Sequence, residues 1–286
     1  MADEHEQAVR QAERTAEMLR RMFDRLGNAQ HPRGRVIAAY RTARRALRGK
    51  TDDVRIVTEV LADLRMALAN VAAVSLAEAA TQGEQQAQKM LEIYGLQPVG
   101  LGVASGVEDG QRAWLAQYDA QRAAVLGIVA AGGDEMQILG DDNRMGVLAP
   151  GPVVRSGADW IGLVAAGAIM AGIAAGVSRA DAQPEFLRQA VAAIDERTTD
   201  CCLRVNGQVT TMDGRFELTG TPRYADAMRH PPFHHYCRTS VALIRRDMAD
   251  DALSRDMRSA AGAELAARGP QDVRQEIDPA SSTSRR

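Results

Sequence analysis

Aromatic residues make up only 4% of the 286 residues, and lysine is nearly missing, with Lys50 and Lys89 alone among many arginines. The first scarcity, beside abundant alanine, argues against a core built on large rings and favours helices packed closely through small side chains. The second is what codon bias in a GC-rich genome produces. Cysteine is limited to three residues, an odd number that does not suggest the disulfide framework of a small secreted domain. The opening Met1-Ala2-Asp3-Glu4-His5-Glu6 is acidic and lacks the apolar run of a signal peptide, so synthesis in a reducing cytoplasm is the expectation. A formal net charge of −2 excludes a general pull toward nucleic acid or membrane. What is present, 45% hydrophobic and 25% charged residues, is ordinary for a globular chain with one large domain or two smaller ones.

Charge is unevenly placed. No acidic residue stands between Asp24 and Asp52, whereas Arg25, Arg33, Arg35, Arg41, Arg44, Arg45, Arg48 and Lys50 all do. Periodicity predicts helices over 3–27 and about 35–48, the second carrying Arg41, Arg44, Arg45 and Arg48 as one stripe opposite Ile37, Ala38 and Leu47. Such a stripe suits DNA phosphates, the docking of an acidic protein or a plain solvated helix face. Only Tyr40 interrupts it, so base reading is not indicated. Thr51-Asp52-Asp53 is a helix N-cap, and from there to about Tyr94 no proline intervenes. A single helix over 53–94 would be about 60 Å long.

Glycine-rich loops are expected at 95–110 and 132–157, with a helix over 111–131 between them. Trp160 to Ser178 is nineteen residues without a charge, long enough to span a membrane. Its glycines and few large aliphatics favour instead a buried helix packed tightly on neighbours. Beyond Pro184 the texture changes to short β-compatible runs, a turn at Asn206-Gly207, a hairpin over 208–218 and a closing strand over 237–244. The expected fold class is therefore α+β: a mostly helical body over 1–180, a small α+β module over 181–246, and a tail over 247–286. The tail starts helical and turns polar from Gly269.

All three cysteines and three of the five histidines fall between Asp195 and Val241. Cys202, His234 and Cys237 form a donor trio. Tetrahedral zinc needs four Cys, His or carboxylate donors, and Cys201, His230, His235 or Asp200 can supply the last. Alternatives remain open: plain burial of the cysteines, a Cys202–His234 nucleophile pair oriented by Asp200 or Asp195, or a metal nuclease using His234, His235 and Asp200. Arg197 and Arg238 flank the cluster and suit ion pairs with Asp195, Glu196 or Asp200.

The same stretch resembles the C-terminal module of phage head-morphogenesis proteins, the Mu F-like minor head family. Asp195, Arg197, Thr198, Cys202, Gly207, Pro231, Pro232, His234, Cys237 and Arg238 carry the likeness, in order and spacing, over about 50 residues. Thr239 stands where the family often has a further cysteine, so any metal site needs Cys201 or His235 in compensation. The resemblance implies a minor capsid component made in the bacterial cytoplasm and carried in the virion. It also implies partners in the portal and the major capsid or scaffold proteins, contact with packaged DNA, no small-molecule substrate and no catalytic reaction.

Overall fold

The computed structural model describes residues 2–24, 31–100, 106–141, 144–182, 185–195, 198–218, 227–234 and 237–268. Arg197, His235 and the polar tail from Gly269 lie outside these residues. Within them the chain is α+β and mostly helical. The helices are α1 (Ala2–Asp24), α2 (Pro32–Leu47), α3 (Val54–Ile93), α4 (Val107–Ala130), α5 (Glu135–Leu139), α6 (Pro150–Arg179), α7 (Asp200–Val205) and α8 (Ala252–Arg268). The strands are β1 (Phe186–Ala192), β2 (Val209–Thr210), β3 (Phe216–Glu217), β4 (Ala227–Met228) and β5 (Thr239–Arg245).

Contacts divide the chain into two compact units that interleave along the sequence. One holds Met22–Thr81 and Gly102–Val164, the other Met1–Arg21, Gln82–Leu101 and Ala165–Arg286. A body ending near residue 180 is therefore not the structural division. The α+β module does not close its own core: its sheet shares one with Ala8, Val9 and Ala12 of α1, Met90 and Leu91 of α3, and Ile169, Ile173 and Val177 of α6.

In the first unit, α2 buries Val36, Tyr40, Ala43 and Leu47. Of the expected apolar side, Leu47 is buried, Ile37 is half-buried and Ala38 is exposed. Tyr40 meets Tyr118 of α4 edge to face, 6.3 Å between centroids, and donates to Gln121 Oε1 at 2.6 Å. Asp53 caps α3 by accepting from the backbone N–H groups of Arg55 and Ile56 at 3.1 and 3.2 Å. Arg65 of α3 grips Asp119 of α4 with two hydrogen bonds, 2.7 and 3.0 Å.

The loop expected over 132–157 is largely structured. Asp134 and Gln137 close a capping box on α5. α6 begins ten residues before Trp160, because Pro150 and Pro152 occupy its first turn, where a missing N–H costs no helical bond. Gly157 is needed there for closeness. A Cβ at that position would stand 2.1 Å from Cζ2 of Trp114.

In the second unit, the apolar part of α6 packs through glycine. Added Cβ atoms would stand 2.6 Å from Ala87 Cβ at Gly172 and 2.5 Å from Leu91 Cδ1 at Gly176. Both α3 and α6 are long and apolar enough to cross a membrane by length and composition, and 56% of the most apolar α6 window is buried within the protein. Its small residues are used in helix–helix contact.

β1 lies centrally in an antiparallel sheet of order β2-β1-β5, with Arg188 opposite Leu243 and Ala190 opposite Val241. β3 and β4 form a separate antiparallel pair. The expected hairpin over 208–218 is absent, since β2 pairs with β1 and β3 with β4. The run before Asn206-Gly207 is the helix α7 rather than a strand.

Candidate metal centre

Each half of the cluster is placed by a different element. Cys201 and Cys202 sit in the first turn of α7, and His234 and Cys237 lie between cis-linked Pro231-Pro232 and β5. All four side chains are 3% exposed or less. Cys202 Sγ lies 2.8 Å from His234 Nε2 and 3.6 Å from Cys237 Sγ. The ligand atoms of Cys201, Cys202 and His234 lie within 4.8 Å of one another. Thr199 Oγ1 is 2.7 Å from His234 Nε2 and 3.3 Å from Cys201 Sγ.

Protonation follows from this crowding. The Cys202 thiol is driven well above its ordinary pKa, first by burial and then by sulfur neighbours that profit from its proton. Cys201 is pulled down to about 4, first by the hydrogen bond from Cys202, with the His234 imidazole adding to the effect against burial. Burial works against charge on His234, yet the Cys237 and Cys201 sulfurs outweigh it and lift the imidazole to about 10. Cys237 is held well below its usual value despite burial, because Cys202 and the imidazolium stabilise its thiolate. The lowered Cys201 and Cys237 thiols make the pocket soft and electron-rich, and a bound cation would replace the protons these groups share.

The donor set fits zinc. Cys201, Cys202 and His234 are the donors whose ligand atoms crowd together, and Cys237 joins them through Cys202; zinc–sulfur bonds of about 2.3 Å imply sulfur–sulfur edges near 3.8 Å. The Cys202–Cys237 separation of 3.6 Å is close to that edge. The His234 nitrogen would need to move outward from Cys202 and give up Thr199. Among the described candidates for a further donor, Cys201 is the one that lies beside Cys202 and His234. His230 Nδ1 instead contacts the Pro231 carbonyl at 2.6 Å, and Asp200 receives Arg268 at 3.2 Å.

The surrounding shell fixes both halves. Arg238 forks onto Asp195, one arm at 2.9 Å, and also reaches Thr198 Oγ1 at 2.9 Å. Thr198 in turn donates to the Ala193 carbonyl. The expected pairing of Arg238 with Asp195 is therefore present. Gly207, at φ +74°, ends α7 in the left-handed region and donates its N–H to Ala190 O at 2.9 Å.

Three supporting residues went unnoticed in the sequence. Asn206 accepts from the Ala192 N–H at 2.8 Å and donates to Met257 O at 3.0 Å. Arg268 at the end of α8 binds the carbonyls of Thr198 and Asp195 together with Asp200. Buried Arg188 donates to the carbonyls of Thr211, Gly214 and Arg229, at 3.1, 2.6 and 2.6 Å. Loss of hydration brings its pKa down to about 10. An asparagine beside glycine reads as a turn former, and a lone arginine gives no sign of its distant carbonyls; neither carries a local signal.

Comparison with family models, with curated proteins and with solved structures gives no match to this chain.

Proposed function

We propose that this chain is a phage minor head protein, acting in head morphogenesis by binding portal and capsid or scaffold proteins, with its C-terminal module held together by a structural zinc ion. The single observation that supports the reading most is the meeting of Cys202 with His234 and Cys237 across more than thirty residues of sequence. Six of the ten residues that carry the resemblance to the Mu F-like module meet: Asp195, Thr198 and Arg238 in one hydrogen-bonded group, Cys202, His234 and Cys237 in the other. When bound, the ion would supply cross-linking between α7 and the segment before β5. Cys201, Cys202, His234 and Cys237 would hold it.

A thiol hydrolase or metal nuclease at the same place is less well supported. The Cys202 sulfur is fully buried and the imidazole 3% exposed, so neither faces a substrate directly. Burial within α6 likewise favours a packed helix over membrane delivery.

Co-assembly tests the reading. The full chain, produced with the portal and capsid proteins of its phage, should sediment with procapsids, and His234→Ala should reduce its incorporation along with its zinc. A wild-type chain that stays free of portal rings and procapsids contradicts the head-assembly role. Turnover of a nucleic-acid, ester or peptide substrate that disappears in a folded, zinc-loaded Thr199→Val variant would favour an enzyme instead.

A further inference from the structure

The arginine flank of α2 takes no part in the metal centre and lies wholly within the other compact unit. Arg33, Arg35, Arg41, Arg45, Arg48 and Lys50 are exposed, and Arg44 is half-buried. At about 100° per residue, Arg33, Arg44, Arg48, Arg41 and Arg45 share an arc of about 120°, beside the buried stripe of Val36, Tyr40, Ala43 and Leu47. Neutralisation is slight. Arg48 approaches Glu135 at 3.8 Å, and among the described residues no carboxylate pairs with Arg33, Arg35, Arg41, Arg44 or Arg45. By contrast, Arg10, Arg55 and Arg112 each lean on an acid in their own helix: Glu6, Glu59 and Asp109.

The chemistry beside these charges decides what they suit. Between the arginines stands Ile37, half-buried; behind them α2 exposes Ala38, Thr42 and Ala46, and its one aromatic ring, Tyr40, is buried. A protein partner needs a well-exposed apolar or aromatic anchor at the centre of the contact, and this flank offers only the half-buried Ile37. A polyphosphate needs only spaced guanidinium groups, each able to take two phosphate oxygens. Arg41 to Arg48 covers about 10 Å of helix axis, while duplex DNA carries a charge every ~1.7 Å. Several phosphates therefore lie within reach of one flank.

We propose that this flank of α2 binds the phosphate backbone of double-stranded nucleic acid without reading its sequence, through Arg41, Arg45 and Arg48 with Arg33 and Arg44 beside them. The claim does not depend on the zinc or head-assembly reading. Fluorescence anisotropy of a labelled DNA duplex with the full chain, over a series of salt concentrations, tests it. Wild type should bind two unrelated duplex sequences equally, with log K falling against log[salt] by about 0.9 per phosphate engaged. The combined Arg41→Ala, Arg45→Ala, Arg48→Ala chain, its helicity unchanged by circular dichroism, should lose about 2–3 from that slope and bind about tenfold or more weakly. A control of equal charge change, Arg10→Ala, Arg55→Ala, Arg112→Ala, should bind as wild type does. Failure of the wild type to bind, equal weakening in the control, or tighter binding of polyglutamate than of duplex would each overturn the proposal.

Discussion

His234 occupies the point where two sequence segments become one site, and its removal should be felt twice. His234→Ala leaves crowded buried thiols without their imidazole, so about 3–5 kcal/mol of stability should go, together with bound zinc; denaturant unfolding and elemental analysis read the two effects. Asn206→Ala isolates the supporting shell. It strands the Ala192 N–H and removes a second bond to the Met257 carbonyl, costing about 2 kcal/mol, while zinc content should stay near that of wild type. The chelated chain should also show a particular pH profile. The imidazole is raised from 6.5 to about 10, so its contribution is complete below 6.5 and vanishes as pH climbs through about 10. The Cys201 thiol is depressed from 9.0 to about 4, so its contribution is complete above 9.0 and vanishes as pH falls through about 4. Cys237 is likewise held well below its usual value, so up to 9.0 the two depressed thiols outweigh the one raised imidazole and stability rises with pH; above 9.0 only the raised Cys202 thiol and imidazole still titrate and stability falls. Denaturant midpoints that keep rising above 9.0 would contradict this charge arrangement.

Helix packing predicts opposite signs for one chemical change on a single element. Gly172→Ala on α6 meets Ala87 Cβ at 2.6 Å, whereas Gly167→Ala meets nothing within 4 Å. The first should destabilise by about 1–3 kcal/mol through overpacking. The second should stabilise by up to about 1 kcal/mol, the difference in helix propensity. Thermal unfolding of the two variants checks both signs. That contrast also shows what was legible in the sequence. The bounds of α3, 53–94 as read and Val54–Ile93 as found, emerge from a proline-free run of apolar periodicity behind an Asp53 cap. The burial of α6 could be inferred from its glycines, but not which of them touch a partner. α7 was hidden because six helical residues give too little periodicity, and the Asn206-Gly207 pair after them mimics a hairpin turn. The start of α6 was hidden because Pro150 and Pro152 read as breakers until their place in the first turn is known.

For the whole molecule, the cluster's residues were legible as a group because soft donors crowd into one stretch, whereas the choice of Cys201 over His230 and Asp200 required the fold. Nor could any local pattern show that α1, the end of α3 and half of α6 join the sheet in one core, since those contacts cross most of the chain. In the proposed arrangement zinc would be a fastener between α7 and the segment before β5, so chelation should loosen the unit that contains them. Hydrogen exchange should quicken in α7 and in β5, while α4 stays protected. The most direct measurement of the central claim is zinc analysis of the purified full chain combined with X-ray absorption at the zinc edge. The account predicts about one zinc per chain with three sulfur neighbours and one nitrogen neighbour at about 2.3 and 2.0 Å. A metal-free chain whose three cysteines all titrate as free thiols, or a zinc bound mainly by oxygen, would contradict it.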